Sequence, residues 1–234
     1  MGSSPLTTVS SVYSPRHLSE RPDVEEQIDR KKHEVVSANM AAQFISIVID
    51  LYSNQPIESI TTEFSNAPNT FHLDSPQFNC ICQDDGAIWR RKFNLITKTW
   101  INPQSTLLCS LEAKSSYSRV DSSGMGVTSD RTLAQQFCEL LGPVLSQVTD
   151  GDYEALDDEQ RCRFLISVHQ SDIMIVYCDF SPEYLGYMYS DQPPPHLPYI
   201  TLHRSRKYNL GDPTERREAA ETIVAFGEYF KQSI

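Results

Sequence analysis

The chain reads as a single mixed α/β domain of the α+β kind, and three features of its 234 residues carry that reading. A long stretch of helical apolar spacing comes first, a group of short β-rich runs follows it, and two further helical stretches bracket a second pair of β-rich runs. The order helix, strands, helix, strand pair, helix is that of sheet and helices packed in layers around one core.

Residues 1–22 are rich in Ser, Thr and Pro and poor in large apolar side chains, so they read as a flexible N-terminal arm before one domain over 23–234. Val24 to Ser53 predicts a helix. Its first half is charged, and its second half carries Val36, Met40, Phe44, Ile47, Val48 and Leu51 as the face for a sheet. Residues 54–76 hold Asn54, Pro56, Asn66, Pro68, Asn69 and Pro76 and are expected to be mostly loop. Strands are expected at Phe78–Cys82, Gly86–Phe93 and Thr106–Lys114, with a turn at Asn102-Pro103, as a three-stranded antiparallel meander behind the helix. The Ser- and Gly-rich Ser115 to Gly126 reads as a mobile loop. Thr128-Ser129-Asp130 supplies N-cap residues for a helix to about Val148, and the acidic Thr149 to Glu159 is surface loop. Arg163–Val168 and Ile173–Cys178 form a hairpin around His169-Gln170-Ser171-Asp172. Tyr184, Tyr187 and Tyr189 read as a packing cluster, and Gln192 to Pro198 as a Pro-rich loop. Asp212-Pro213-Thr214-Glu215 combines an N-cap, a Pro at the first helical position and an acidic third residue, and starts a last helix to about Lys231.

Composition narrows the function classes. Hydrophobic residues make up 39% and charged ones 22%, which excludes wholesale disorder. The apolar run Ala41 to Tyr52 is broken by Gln43, Ser46 and Asp50, so no membrane span is expected. The start Met1 to Thr8 lacks a basic region followed by an apolar core, and Cys109, Cys138, Cys162 and Cys178 sit in apolar runs as reduced thiols do. An intracellular place, cytoplasmic or nuclear, is the expectation. Cys80-x-Cys82 has no second Cys/His pair at zinc spacing. A net charge of −11 disfavours a protein that grips long stretches of nucleic acid, because phosphate neutralisation dominates such binding. Any phosphate contact must come from local cations, for which Arg90-Arg91-Lys92 and Arg204, Arg206 and Lys207 are the candidates.

Chemistry concentrates in Thr106 to Ser116. An apolar run of strand length ends in Glu112 and Lys114, whose two-residue spacing puts both side chains on one face of an extended strand. Desolvating either charge alone is costly, so the pair must neutralise itself, sit exposed, or hold a cation and a reacting anion. Asp84-Asp85-Gly86 lies 27 residues upstream of the Glu, counting from Asp85, before another apolar run. An Asp on one strand and Glu-x-Lys on the next is a layout for metal-dependent phosphodiester hydrolysis, with carboxylates on a hard divalent ion and a Lys at the phosphate. The plain alternative is a strand-end ion pair beside a capping Asp. Glu34 can lean into the site or pair with Lys31 or Arg30, and His169 can serve as a general base or sit exposed in its turn. Neither a Gly-x-Ser-x-Gly elbow nor a phosphate-binding Gly loop is present.

With Asp85-Gly86-Ala87, Leu108-Cys109-Ser110-Leu111-Glu112-Ala113-Lys114, Phe164-Leu165-Ile166-Ser167 and Asp179 to Leu185, the chain resembles the PD-(D/E)XK nuclease superfamily. Within it, the chain is most similar to the PD-(D/E)XK nuclease-like proteins of filamentous fungi, over about residues 24 to 232. The resemblance implies a restriction-endonuclease-like core with a mixed central sheet flanked by helices. It implies Mg²⁺ or Mn²⁺ held by Asp85 and Glu112 with the carbonyl of Ala113, and Lys114 beside the attacking water. Glu34 matches the helical carboxylate of many members, and Gln135 or Gln136 the polar residue on the helix after the third strand. No Pro precedes Asp85, and the name-giving dipeptide reads Asp84-Asp85; Asp85 is preferred as the ligand because Gly86 marks the turn into the strand. Many members are inactive scaffolds, so a protein-binding module is the alternative to a nuclease.

Overall fold

The computed structural model describes residues 24–53, 60–76, 78–94, 96–101, 107–114, 119–120, 126–148, 151–190, 192, 196 and 198–232. The proposed arm at 1–22, the turn at Asn102-Pro103 and most of Ser115–Gly126 lie outside these residues. In chain order the elements are α1 (Val24–Ser53), β1 (Ile60–Ser65), β2 (Thr70–Ser75), β3 (Phe78–Gln83), β4 (Gly86–Asn94), β5 (Thr99–Ile101), β6 (Leu107–Lys114), β7 (Arg119–Val120) and β8 (Gly126–Val127). They continue with α2 (Asp130–Leu145), α3 (Asp158–Arg161), β9 (Cys162–His169), β10 (Asp172–Asp179), α4 (Pro182–Tyr189), β11 (His203–Arg204), β12 (Tyr208–Asn209) and α5 (Pro213–Gln232).

A mixed, mostly antiparallel sheet runs in the order β1-β4-β6-β9-β10-β11, with β5 on β4 and β12 on β10. Its parallel pair is β6 with β9, joined through α2, as a crossover between parallel strands requires. Helices cover both faces. On one, Ala41, Ile45, Val48 and Ile49 of α1 and Ala219 and Ile223 of α5 pack on Leu111, Ala113, Ile166 and Val168. On the other, Leu140, Leu141 and Val144 of α2, Leu185 and Met188 of α4 and Leu73 of β2 pack on Leu165, Val176 and Cys178. Burial on both faces is why β6 is buried from Leu107 through Ala113 and reads as a continuous apolar run.

Five expectations are corrected. The strand-length pieces within 54–76 are not loop: Ile60-Thr-Thr-Glu-Phe-Ser65 is an edge strand of the main sheet, and Thr70–Ser75 pairs with β3. β-branched and aromatic residues carry these runs, while Asn66, Pro68 and Asn69 are confined to the connection between them. The meander is therefore β1-β4-β6, and Phe78–Gln83 belongs to a separate hairpin. In α1 the buried face is Ser37, Ala41, Ile45, Val48 and Ile49, whereas Val36, Ile47 and Leu51 are 64%, 59% and 74% exposed and Met40 is exposed too. Both stripes have helical spacing, and the one that carries the small Ser37 and Ala41 meets the sheet. The loop after Lys114 holds a two-residue ribbon, β7 with β8, and the acidic segment ends in α3, capped by Asp157.

His33–Leu51 is also long and apolar enough to cross a bilayer by length and composition, contrary to the reading of the broken run. In the fold its buried residues form the sheet-facing side of α1. The helices at Asp130 and Pro213 begin where expected. Ser129 accepts the Thr132 amide at 3.2 Å, and Asp212 accepts those of Thr214 and Glu215 at 2.8 and 3.0 Å.

Candidate functional site

Strand register brings the acidic residues together. Gly86 pairs with Leu111 in the antiparallel ladder of β4 and β6, so the preceding residue, Asp85, arrives opposite Glu112. Asp85 is pinned there twice: its amide donates to the Leu111 carbonyl at 2.8 Å, and its Oδ2 accepts the Ala113 amide at 2.8 Å. Gly86 is required at this turn. Its φ is +150°, and a Cβ would stand 2.7 Å from the Ser65 carbonyl oxygen.

Asp84 does other work. Buried at 1% exposure, its carboxylate accepts the Asn69 amide at 2.7 Å and the Asn69 side chain at 3.0 and 3.1 Å, tying the β1–β2 connection to the β3–β4 turn. Burial raises its pKa to about 6 against the opposing pull of the Asn69 bonds. The ambiguity of Asp84-Asp85 thus resolves by geometry: the first anchors a loop and the second faces Glu112.

Glu112 is 1% exposed, and Lys114, two residues on, ion-pairs with it on the same face of β6. Lys114 also reaches Glu34 of α1, Nζ to Oε1 3.0 Å. Burial works against the Lys114 ammonium, but the Glu112 and Glu34 carboxylates outweigh it and hold its pKa above the usual value. Burial pushes Glu112 up to about 7, despite its contacts with Glu139 and Lys114. Asp85 is raised by burial too, against the Ala113 amide and Lys114.

Glu139 of α2 is the residue that sequence reasoning missed. At 1% exposure its carboxyl abuts that of Glu112, and burial followed by the Glu112 charge drives its pKa well up. Gln135 Nε2 donates to its Oε1 at 2.9 Å. The signal was present: a Glu three residues after Gln136 and beside Leu140, on the buried stripe of an amphipathic helix. Gln136 lies apart from the carboxyls. It bridges Ser167 Oγ at 2.7 Å and Arg204 at 3.1 Å, under the strand position that pairs with Glu112. His169 is not exposed in its turn but 2% exposed, in register with Lys114, because the turn is Gln170-Ser171 and β9 runs through His169.

Four of the expected phosphate cations are engaged elsewhere, Arg204 with Gln136. Arg90 pairs with Glu159 at 3.0 Å, Arg91 with Glu63, and Arg206 with Glu218, over the Tyr208 ring.

The donor set suits a hard divalent cation: Asp85, Glu112, Glu139 and Glu34 offer oxygen alone, and the cation in contact with Glu112 and Glu34 is Lys114. Among the described residues, no three His, Cys, Asp or Glu side chains are already spaced as a metal cage. No family model, curated protein or solved structure matches the chain.

Proposed function

We propose that the chain is a divalent-cation-dependent phosphodiesterase, a nuclease of the PD-(D/E)XK kind on a restriction-endonuclease-like core. The observation that carries this is the ladder position of Asp85 opposite Glu112, with Lys114 on the same strand face as Glu112 and tied to Glu34. Support comes from the order of elements on which the resemblance rests, a helix, strands, a helix, a strand pair and a helix, to which α1, β1-β4-β6, α2, β9-β10 and α5 correspond.

Asp85 and Glu112 would hold Mg²⁺ or Mn²⁺ with the Ala113 carbonyl between Glu112 and Lys114. Such an ion, when bound, supplies Lewis acidity to the phosphate and acidifies the attacking water. Lys114, released by Glu112, keeps its charge through Glu34 and donates to a phosphate oxygen as negative charge grows there. Glu112 must shed its proton to become a ligand. With Arg90, Arg91 and Arg206 in ion pairs and a net charge of −11, substrate is gripped at the scissile phosphate and not along a broad basic face.

The test is cleavage of supercoiled plasmid, single-stranded DNA and RNA with Mg²⁺ or Mn²⁺. Activity that disappears in Glu112→Ala and Lys114→Met, and in chelator, supports the proposal. Cleavage unchanged by both substitutions, or none with any substrate, removes it. The second reading, a protein-binding module on an inactive nuclease fold, is favoured by the exposed apolar stripe Val36, Met40, Ile47 and Leu51 of α1. It gains if no ion binds and a stable complex is lost in Ile47→Glu.

A further inference from the structure

The six cysteines are free, and two of them meet across elements far apart in the chain. Cys80 of β3 and Cys138 of α2 bring their sulfurs to 3.9 Å, and both residues are half-buried, where a small oxidant can reach them. Cys82, on the same face of β3 two residues on, turns its thiol to the Cys138 carbonyl at 3.3 Å. The hairpin sits hard against α2: a Cβ on Gly142 would stand 2.6 Å from that of Phe71, the cross-strand partner of Cys82. The surfaces carrying the two thiols are thus already docked. Cys109 and Cys178, by contrast, are sealed in the core.

We infer that Cys80 and Cys138 form an oxidisable pair, a modification site at which peroxide closes a disulfide between the β2–β3 hairpin and α2. The Cys80 thiolate attacks a peroxide oxygen, the O–O bond breaks, and hydroxide leaves and takes up a proton, giving the sulfenic acid and water. The Cys138 sulfur then attacks that of Cys80. The S–O bond breaks, the S–S bond forms, and the hydroxyl leaves as a second water with the proton from Cys138. Two thiols and one peroxide become one disulfide and two waters, two electrons passing from sulfur to oxygen. Burial, followed by the neighbouring Cys80, raises the Cys138 thiol to about 12. Closing 3.9 Å to a bond of about 2.05 Å is within the reach of side-chain rotation and a small shift of the hairpin. The bond would clamp α2 one residue before Glu139.

The full chain is treated with hydrogen peroxide at mildly alkaline pH, alkylated under denaturing conditions and mapped by mass spectrometry. Titratable thiols are expected to fall from six to four, with one disulfide joining the Cys80 and Cys138 peptides. The crosslink is expected to persist in Cys82→Ser and to disappear in Cys138→Ser, and dithiothreitol is expected to restore all six thiols. Six thiols remaining after treatment, a bond to any other cysteine, or sulfinic acid at Cys80 without a crosslink would overturn the inference.

Discussion

Glu112 should make the protein less stable as pH rises from mildly acidic to neutral, the reverse of the usual carboxylate effect. Burial raises its folded pKa to about 7 from an unfolded 4.5, so the folded state binds the proton more tightly. The stability that follows is complete below about pH 4.5 and is lost as pH climbs through about 7. A difference of about 2.5 units at about 1.4 kcal/mol per unit amounts to about 3 kcal/mol. The perturbation is Glu112→Gln, which keeps the shape and removes the titration; Glu139, relieved of a neighbouring charge, should also ionise more easily. The assay is urea unfolding of both proteins between pH 4.5 and 8 with chelator present. The stability difference between variant and wild type should move by about 3 kcal/mol in favour of the variant across that window. Parallel profiles would refute the reasoning, because they would mean that Glu112 is ionised throughout and its burial is not felt.

Three further outcomes follow from the same contacts. Asp84→Ala should cost about 2 kcal/mol in unfolding experiments, through the buried bonds to Asn69, and leave Mn²⁺ affinity unaltered, whereas Asp85→Asn should cut Mn²⁺ binding measured by calorimetry at least tenfold. Gly142→Ala should lose about 1–3 kcal/mol by driving a methyl group into Phe71, and the double variant with Phe71→Ala should lose less than the sum of the single changes. Ile45→Ala should cost about 2–5 kcal/mol and Ile47→Ala within about 0.5, by thermal or chemical unfolding, which fixes the face of α1 that meets the sheet.

Those two isoleucines also show where the sequence was ambiguous. Two apolar stripes on α1 share the helical period, and the choice between them is made by tertiary packing, which buries Ser37 and Ala41. The starts of α2 and α5 were legible because caps are local, as at Ser129 and Asp212, whereas α2 ends at Leu145, short of the expected Val148. β1 and β2 were hidden by the Asn and Pro residues around them. At the site, Asp85, Glu112 and Lys114 could be chosen because spacing and strand direction determine which residues meet, whereas Glu34 on α1 was one of two local options until its contact with Lys114. Glu139 could not be found as a charge in a polar pattern, since it interrupts an apolar one. The separate roles of Asp84 and Asp85 depend on Asn69, fifteen residues before Asp84, and become visible only with that contact.

Diffraction from a crystal soaked in Mn²⁺ bears most directly on the cation-dependent chemistry assigned to this site. An anomalous peak should lie about 2.1 Å from carboxylate oxygens of both Asp85 and Glu112, with the Lys114 ammonium withdrawn from Glu112 and still bonded to Glu34. Electron density without such a peak, and Lys114 still seated on Glu112, would contradict it.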